Sequence, residues 1–230
     1  MESQFACLWR EKKEAMNVLE LFAGSCTFSN LAKERGHTTF TTDNGLDLIT
    51  LDQYVEIDLV EDILKLKAED IPFTPDVIWA SPPCTTYSIA GCYHHWNSPD
   101  SEGNRTPKSE AAKIGLDILR KTISLIDELQ PKYWFIENPR GLMRKMSEMK
   151  ELPMHTVTYC QYGDNRMKPT DIWTNSSWLP RPMCKNGMPC HESAPRGSLT
   201  GTQGIKGKFN RSKLPKDLCN EILDYLESKT

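Results

Sequence analysis

The chain has 230 residues, of which 38% are apolar and 26% charged, and its formal net charge is −3. Those figures exclude a disordered or fibrous chain and fit one globular domain with at most a small appendage. No apolar run approaches the roughly 18 residues of a membrane span, and Met1 to Met16 carries Arg10-Glu11-Lys12-Lys13-Glu14 where a signal peptide would be apolar, so the expected location is the cytoplasm. There the eight cysteines point to thiols, a nucleophile or metal ligands rather than disulfides.

In chain order, Asn17 to Phe22 reads as a first strand, followed by the small-residue turn Ala23-Gly24-Ser25 and a helix over 27–35 that stops at Gly36. Thr38 to Thr42 reads as a second strand ending at Asp43. Val55 to Leu59 reads as a third, leading into Glu61-Asp62-Ile63. The β-branched and aromatic run Val77-Ile78-Trp79-Ala80 predicts a buried fourth strand, cut off by Ser81-Pro82-Pro83-Cys84. Residues 85–107 have little periodicity and read as a long loop. The apolar spacing over 109–129 predicts a long amphipathic helix. Lys132 to Ile136 reads as a fifth strand ending in Glu137-Asn138-Pro139-Arg140-Gly141, with later strands at His155 to Tyr159 and Asp171 to Thr174. Alternating strand and helix predicts an α/β fold with a doubly wound, mostly parallel sheet. From about Asn175 to Ser212 the composition turns to Pro, Gly, Ser, Cys and basic residues. Leu214 to Lys229 then closes as a helix with Pro215 in its first turn.

Cys84 falls at the carboxyl end of a strand, where open α/β sheets place their chemistry, on a mount stiffened by two fixed φ angles. It reads as a nucleophile or as a buried thiol beside a turn. Glu137 ends the neighbouring fifth strand, so a thiol and a carboxyl group project into one crevice. No histidine is evidently paired with the thiol, which argues against a cysteine protease. The pair suits addition of a thiolate to an electron-poor ring, with a protonated acid offsetting charge on a ring nitrogen.

The turn after the first strand lets a ligand approach backbone and a helix end, although the second and third glycines of a dinucleotide fingerprint are absent. Asp43 lies about twenty residues on, where an acid commonly takes a ribose hydroxyl pair, and Asp62 is placed to accept from an exocyclic amine. Each acid alone reads as a solvated loop carboxylate or a helix cap. Three such features at successive strand ends point together to a ligand site.

Between Arg181 and Lys216 there are eight Lys or Arg against one acid, Glu192. This run reads as a surface for a phosphate backbone or as a solvated basic face. Within it, Cys184-Lys-Asn-Gly-Met-Pro-Cys190-His191 groups Cys and His around a glycine, as a structural zinc site does. Cys160 is a candidate fourth ligand, and the alternative is a metal-free loop.

Phe22-Ala23-Gly24, Ser81-Pro82-Pro83-Cys84, Glu137-Asn138-Pro139 and Tyr162-Gly163 with Lys168-Pro169-Thr170 resemble, in this order, the motifs of cytosine-5 DNA methyltransferases. The nearest likeness is to the compact bacteriophage and prophage-type members, and it runs from about Asn17 to the final helix. The resemblance implies a Rossmann-like catalytic domain over 1–174, a small target-recognition region over 175–212 and a closing helix over 213–230. It implies S-adenosylmethionine as cofactor and double-stranded DNA as partner, bound by a monomer in the cytoplasm of a bacterial or phage-infected cell. Whether a restriction-modification nuclease accompanies it stays open.

In the resembling family's mechanism, Cys84 would attack carbon 6 of cytosine. Glu137 would bond ring nitrogen 3 and the exocyclic amine. Phe22 would pack on the cofactor adenine, Asp43 would hold the ribose and Asp62 the adenine amine, with Ala23, Gly24, Ile63 and Pro83 completing the cofactor site. Asn138 would brace the Cys84 loop. The family's late arginine pair is replaced here, so either Arg166 or Lys168 would reach the cytosine carbonyl oxygen. The cytosine must leave the stack, and His94, His95 and Trp96 of the long loop would either contact the displaced strand or pack as ordinary loop residues. Methylation of RNA or of a cytosine nucleotide, a silent nucleic-acid-binding module, and transfer of a modified group are the alternative readings.

Overall fold

The sheet is built on period-two alternation. In β4 (Val77–Ala80), Val77 and Trp79 face one core, while Ile78 and Ala80 face another. A computed structural model describes residues 14–46, 55–89, 91–193 and 208–229. Most of the N-terminal stretch, and Arg196 and Lys206 of the basic run, lie outside the described residues. The strands β1 (Asn17–Leu21), β2 (Thr38–Asp43), β3 (Leu59–Val60), β4, β5 (Tyr133–Pro139), β6 (Met154–Thr158) and β7 (Pro169–Thr174) form one sheet ordered β3-β2-β1-β4-β5-β7-β6. From β3 to β5 neighbours pair in parallel, and β7 runs antiparallel to both β5 and β6. The helices are α1 (Thr27–Glu34), α2 (Cys92–His95), α3 (Glu110–Leu129), α4 (Lys208–Ser212) and α5 (Lys216–Glu227). The doubly wound, mostly parallel sheet is therefore present.

Each face of the sheet is covered by helix. α3 buries Leu116, Leu119, Leu125 and Ile126 against Leu19, Leu21, Ile78 and Ile136. Its first turn is capped by the Ser109 side chain, which accepts from Ala112 N at 3.2 Å. On the opposite face α1 and α5 enclose Trp79, whose ring stacks against Phe28 at 4.8 Å and Phe135 at 5.9 Å. Among the described residues no helix is long and apolar enough to cross a membrane.

Two elements differ from the sequence reading. The third strand shrinks from Val55–Leu59 to Leu59–Val60. Asp58 explains this: its Oδ2 accepts from Thr41 N at 2.8 Å and from Thr41 Oγ1 at 2.7 Å, so a side chain takes the place of ladder bonds. The long loop 85–107 contains α2 and is pinned within itself. Trp96 is 2% exposed and its indole N–H donates to Thr86 O at 3.0 Å.

The turn between β1 and α1 has a concealed anchor. Cys26 occupies the N-cap position of α1 at φ +50° and supplies no side-chain cap. Glu20 of β1 does so instead, accepting from Ser29 N at 2.8 Å. Its burial pushes the carboxyl group up to about 7, against the hydrogen bonds from the α1 end. The folded state therefore holds more protons than the unfolded one between about pH 4.5 and 7. This contribution is fully present below that window and is lost as pH rises through it. Glu20→Gln removes the dependence. Urea denaturation should show the variant gaining on the parent chain by about 2–3 kcal/mol between roughly pH 4.5 and pH 8, on top of any constant cost of the substitution. A pH-independent difference would show that Glu20 does not titrate in this range.

Candidate active site

The parallel register sets Ala80 of β4 beside Ile136 of β5, so both strands release their chemistry at the same edge of the sheet. Beyond Ala80, Pro82 and Pro83 have no backbone N–H to continue the ladder. The buried carbonyl of Pro82 instead accepts from Asn138 Nδ2 at 2.8 Å. The half-buried Cys84 follows, and its own carbonyl accepts from Tyr87 N and Ser88 N at 3.0 and 3.1 Å, closing a tight turn. From the β5 side, Leu142 N donates to Tyr87 O at 2.7 Å. A Cβ on Gly141 would lie 2.5 Å from that same carbonyl, so only glycine lets the two loops approach this closely. Asn138 thus braces the Cys84 segment.

Glu137 is buried, and its Oε1 accepts from the Tyr159 hydroxyl at 2.8 Å. Burial and the neighbouring Glu137 raise the Tyr159 phenol well above its ordinary value, so it stays a donor. Above the Tyr159 ring, 4.5 Å from its centre, lies Lys168 Nζ, which also donates to Arg211 O at 3.3 Å. Burial pulls the Lys168 ammonium below its ordinary value, while Glu137 and Cys84 both favour its charged form. Tyr159 thus joins Lys168 and Glu137 in one cluster, its ring under the ammonium and its hydroxyl on the carboxyl group.

Arg166 is placed otherwise. It is buried, its guanidinium grips Asp164 through Nε at 2.8 Å and through Nη2, and its Nη1 donates to Arg211 O at 3.0 Å. Those bonds tie the 208–213 segment to the core. Of the two cations that sequence spacing left open, Lys168 lies over Tyr159, the partner of Glu137, and Arg166 is held by Asp164 and the Arg211 carbonyl.

The second group of sequence-predicted residues also converges. Phe22, Asp43, Asp62, Ile63 and Pro83 line one cleft at the ends of β1, β2 and β4. Phe22 sits there at φ +58°, a conformation that a bulky residue adopts only when its surroundings enforce it. Ala23 and Gly24 do not line the cleft. They form the turn beside it, with Gly24 N donating to Asp43 Oδ2 at 3.1 Å and Ala23 N to Thr42 O at 3.0 Å. Asp43 also accepts from Gly45 N at 2.9 Å, and Asp62 from Leu64 N at 3.0 Å, so both acids fix their own turns as well as facing the cleft. Apolar faces from Phe22, Ile63 and Pro83 and two carboxylates are what an adenosine needs for stacking and hydroxyl recognition. A wider hollow beside α1, lined by Leu31, Lys33, Glu34, Val55, Lys213 and Lys216 among others, has one carboxylate and no aromatic face.

In the long loop, Trp96 packs against Tyr87 with ring centres 5.3 Å apart, and His95 Nδ1 bonds Ser109 Oγ at 2.8 Å. His94 remains exposed. Sequence reasoning missed Tyr159, whose signal was present: an aromatic hydroxyl closing the strand next to Glu137's own neighbour, β7.

The family model for C-5 cytosine-specific DNA methylase matches residues 16–157. The chain belongs to that family. Its reaction class is the S-adenosylmethionine-dependent methylation of carbon 5 of cytosine. The "Probable DNA (cytosine-5)-methyltransferase" of Frog virus 3 (isolate Goorha) is 30% identical over 227 residues, covering 91% of this chain and 99% of its own length. Among solved structures, a Spodoptera frugiperda DNMT2 mutant is similar over 71% of this chain and 52% of its own, at 18% identity and a TM-score of 0.42. The Entamoeba histolytica methyltransferase EhMeth is similar over 70% of this chain and 52% of its own, at 16% identity and a TM-score of 0.46. The chain spans about half the length of these solved structures.

The bracing of Cys84 generates a stability prediction. Asn138→Ala leaves the buried Pro82 carbonyl without its donor and opens a small void, at a cost of about 2–3 kcal/mol. Equilibrium denaturation measures this, and an unchanged midpoint would remove Asn138 from the bracing role.

Proposed function

We propose that the protein methylates carbon 5 of cytosine in double-stranded DNA, with Cys84 as nucleophile and Lys168 as the cation that meets the base. The observation that carries this reading is geometric: Tyr159 joins Glu137 of β5 to Lys168 before β7, and Asn138 of β5 fixes the turn that holds Cys84 after β4. DNA is the substrate in the name of the Frog virus 3 relative, and the basic segment 181–216 supplies charge for a phosphate backbone.

The ammonium of Lys168 beside the thiol favours the thiolate of Cys84. That sulfur adds to carbon 6 of the flipped cytosine, and Glu137 hydrogen-bonds ring nitrogen 3 and the exocyclic amine as electron density moves to carbon 5. Tyr159 holds Glu137 by Oε1 and leaves Oε2 for the base. Lys168 offsets charge on the cytosine carbonyl oxygen. Phe22, Asp43, Asp62, Ile63 and Pro83 would hold S-adenosylmethionine, which would supply an electrophilic methyl group to carbon 5 and leave as S-adenosylhomocysteine. Loss of the carbon 5 proton to solvent and β-elimination then restore both the ring and the Cys84 thiolate. The buried packing of Trp96 leaves Tyr93 and His94 as the residues of α2 that face the displaced strand.

Cys84→Ala should lower methyl transfer by at least about a thousandfold while S-adenosylmethionine affinity changes less than about threefold, as isothermal titration and tritium transfer would show. A duplex with 5-fluorocytosine at the target should trap the parent chain as a denaturation-resistant adduct, because fluorine on carbon 5 blocks the elimination. Transfer to transfer RNA with none to duplex DNA would overturn the choice of DNA.

The two cations should separate cleanly. Lys168→Met should cut kcat/KM by about 10- to 100-fold with a near-native melting curve. Arg166→Met leaves Asp164 uncompensated and should act first on stability, by about 3 kcal/mol or more. The reverse pattern would exchange their assignments.

A further inference from the structure

Four side chains that the transfer reaction does not use converge beside the β6 end of the sheet. The sulfurs of Cys160, Cys184 and Cys190 and a ring nitrogen of His191 all lie within 4.8 Å of one another. Around a tetrahedral zinc ion, with bonds of roughly 2.3 Å to sulfur and 2.05 Å to nitrogen, the edges are about 3.8 Å between sulfurs and about 3.6 Å from sulfur to nitrogen. The observed separations are 3.8 Å for Cys190 to Cys160, 3.5 Å for Cys184 to His191 Nδ1 and 3.6 Å for Cys190 to His191 Nδ1. Cys184 and Cys190 are closer, at 3.1 Å, still about an ångström beyond a disulfide bond. We propose that Cys160, Cys184, Cys190 and His191 Nδ1 bind one structural zinc ion that staples the appendage to the turn after β6.

Three thiolates and an imidazole are the soft donors that select zinc over calcium or magnesium, and four protein ligands leave no position for a reactive water. Gln161 Nε2 donates to Cys190 Sγ at 3.6 Å, which offsets part of the excess negative charge. Cys160 is the decisive ligand, since it belongs to the β6 turn and the other three to the appendage. The appendage needs such a staple. Over the described residues 175–193, only Trp178 and Cys184 count as buried apolar side chains, while Leu179, Met183 and Met188 stay exposed. Three further ties land near the same turn: Cys184 N donates to Thr158 Oγ1 at 2.8 Å, Arg181 Nη1 to Gln161 O at 2.7 Å and Glu192 N to Asn165 O at 2.9 Å, while Ser177 and Arg181 also reach α5. Tyr159, next to Cys160, carries the hydroxyl that holds Glu137. The ion thus sits between the appendage and the support of the acid, without touching substrate.

The test is metal content of the full chain, purified without chelator and dialysed against zinc. Elemental analysis should find about one zinc per chain, falling about tenfold or more in Cys190→Ser and in Cys160→Ser and holding in Cys92→Ser. Cobalt substitution should give thiolate-to-metal charge-transfer absorption that Cys190→Ser abolishes. Stripping the metal should lower the melting temperature while S-adenosylmethionine affinity, seated at the far ends of β1, β2 and β4, stays within about twofold. That retained affinity separates loss of the staple from failure to fold, and it does not depend on which nucleic acid is methylated. A chain that takes up no zinc, uptake that Cys160→Ser and Cys190→Ser leave intact, or a Cys184–Cys190 disulfide found by mass spectrometry in place of metal would overturn the proposal.

Discussion

The hydrogen bond from Asn138 to the carbonyl of Pro82 is the constraint on which the site depends. A strand that ends in two prolines loses two ladder donors at once, and its last buried carbonyl would be stranded in a water-poor interior. The neighbouring strand supplies the missing donor from a side chain. The parallel register delivers that side chain at the right height, and Gly141 then allows a second tie to Tyr87. Cys84 is held between these two fastenings. Its position is a property of the strand pair, not of its own loop.

The same logic separates the two late cations. A guanidinium is planar and rich in donors, so once buried it must satisfy several acceptors, and Asp164 with the carbonyl of Arg211 does this for Arg166. An ammonium is a compact charge that tolerates one carbonyl and an aromatic face, as Lys168 has over Tyr159. The residue that is hardest to leave unsatisfied became the strut. The one with charge to spare stands over the crevice.

Much of this is legible in the sequence alone. The alternation of strand and helix gave the parallel sheet, and β4 and β5 were readable because their apolar runs stop at prolines and at Glu137-Asn138-Pro139. Asp43 and Asp62 of the cleft are readable because open sheets place ligands at strand ends, and Phe22, Ile63 and Pro83 only through the family resemblance. The antiparallel course of β7 was not legible, because side-chain alternation reports which face is buried and says nothing about direction. The truncation of β3 was hidden in the Asp58 side chain, which imitates backbone pairing with Thr41. Trp96 reads equally as a contact to the displaced strand and as ordinary loop packing until its neighbours are known. Arg166 and Lys168 could not be told apart by spacing, since Asp164 binds the first through contacts that only the folded turn creates. Glu20 was invisible as an anchor for a similar reason: its partner is a backbone N–H in the following helix.

The core around Trp79 joins residues from opposite ends of the chain. Met16, Val18 and Phe28 meet Leu218, Ile222, Leu223 and Leu226 of α5 there, and Arg35 bonds Asp224 and Asn220 across the same seam. During synthesis, the first strand and helix therefore emerge long before the element that covers them. Until α5 leaves the ribosome, only α1 covers this face of the sheet, and part of the apolar surface around the Trp79 indole stays open. Folding of this side must wait for α5, and in the interval that face is a natural client surface for a holding chaperone.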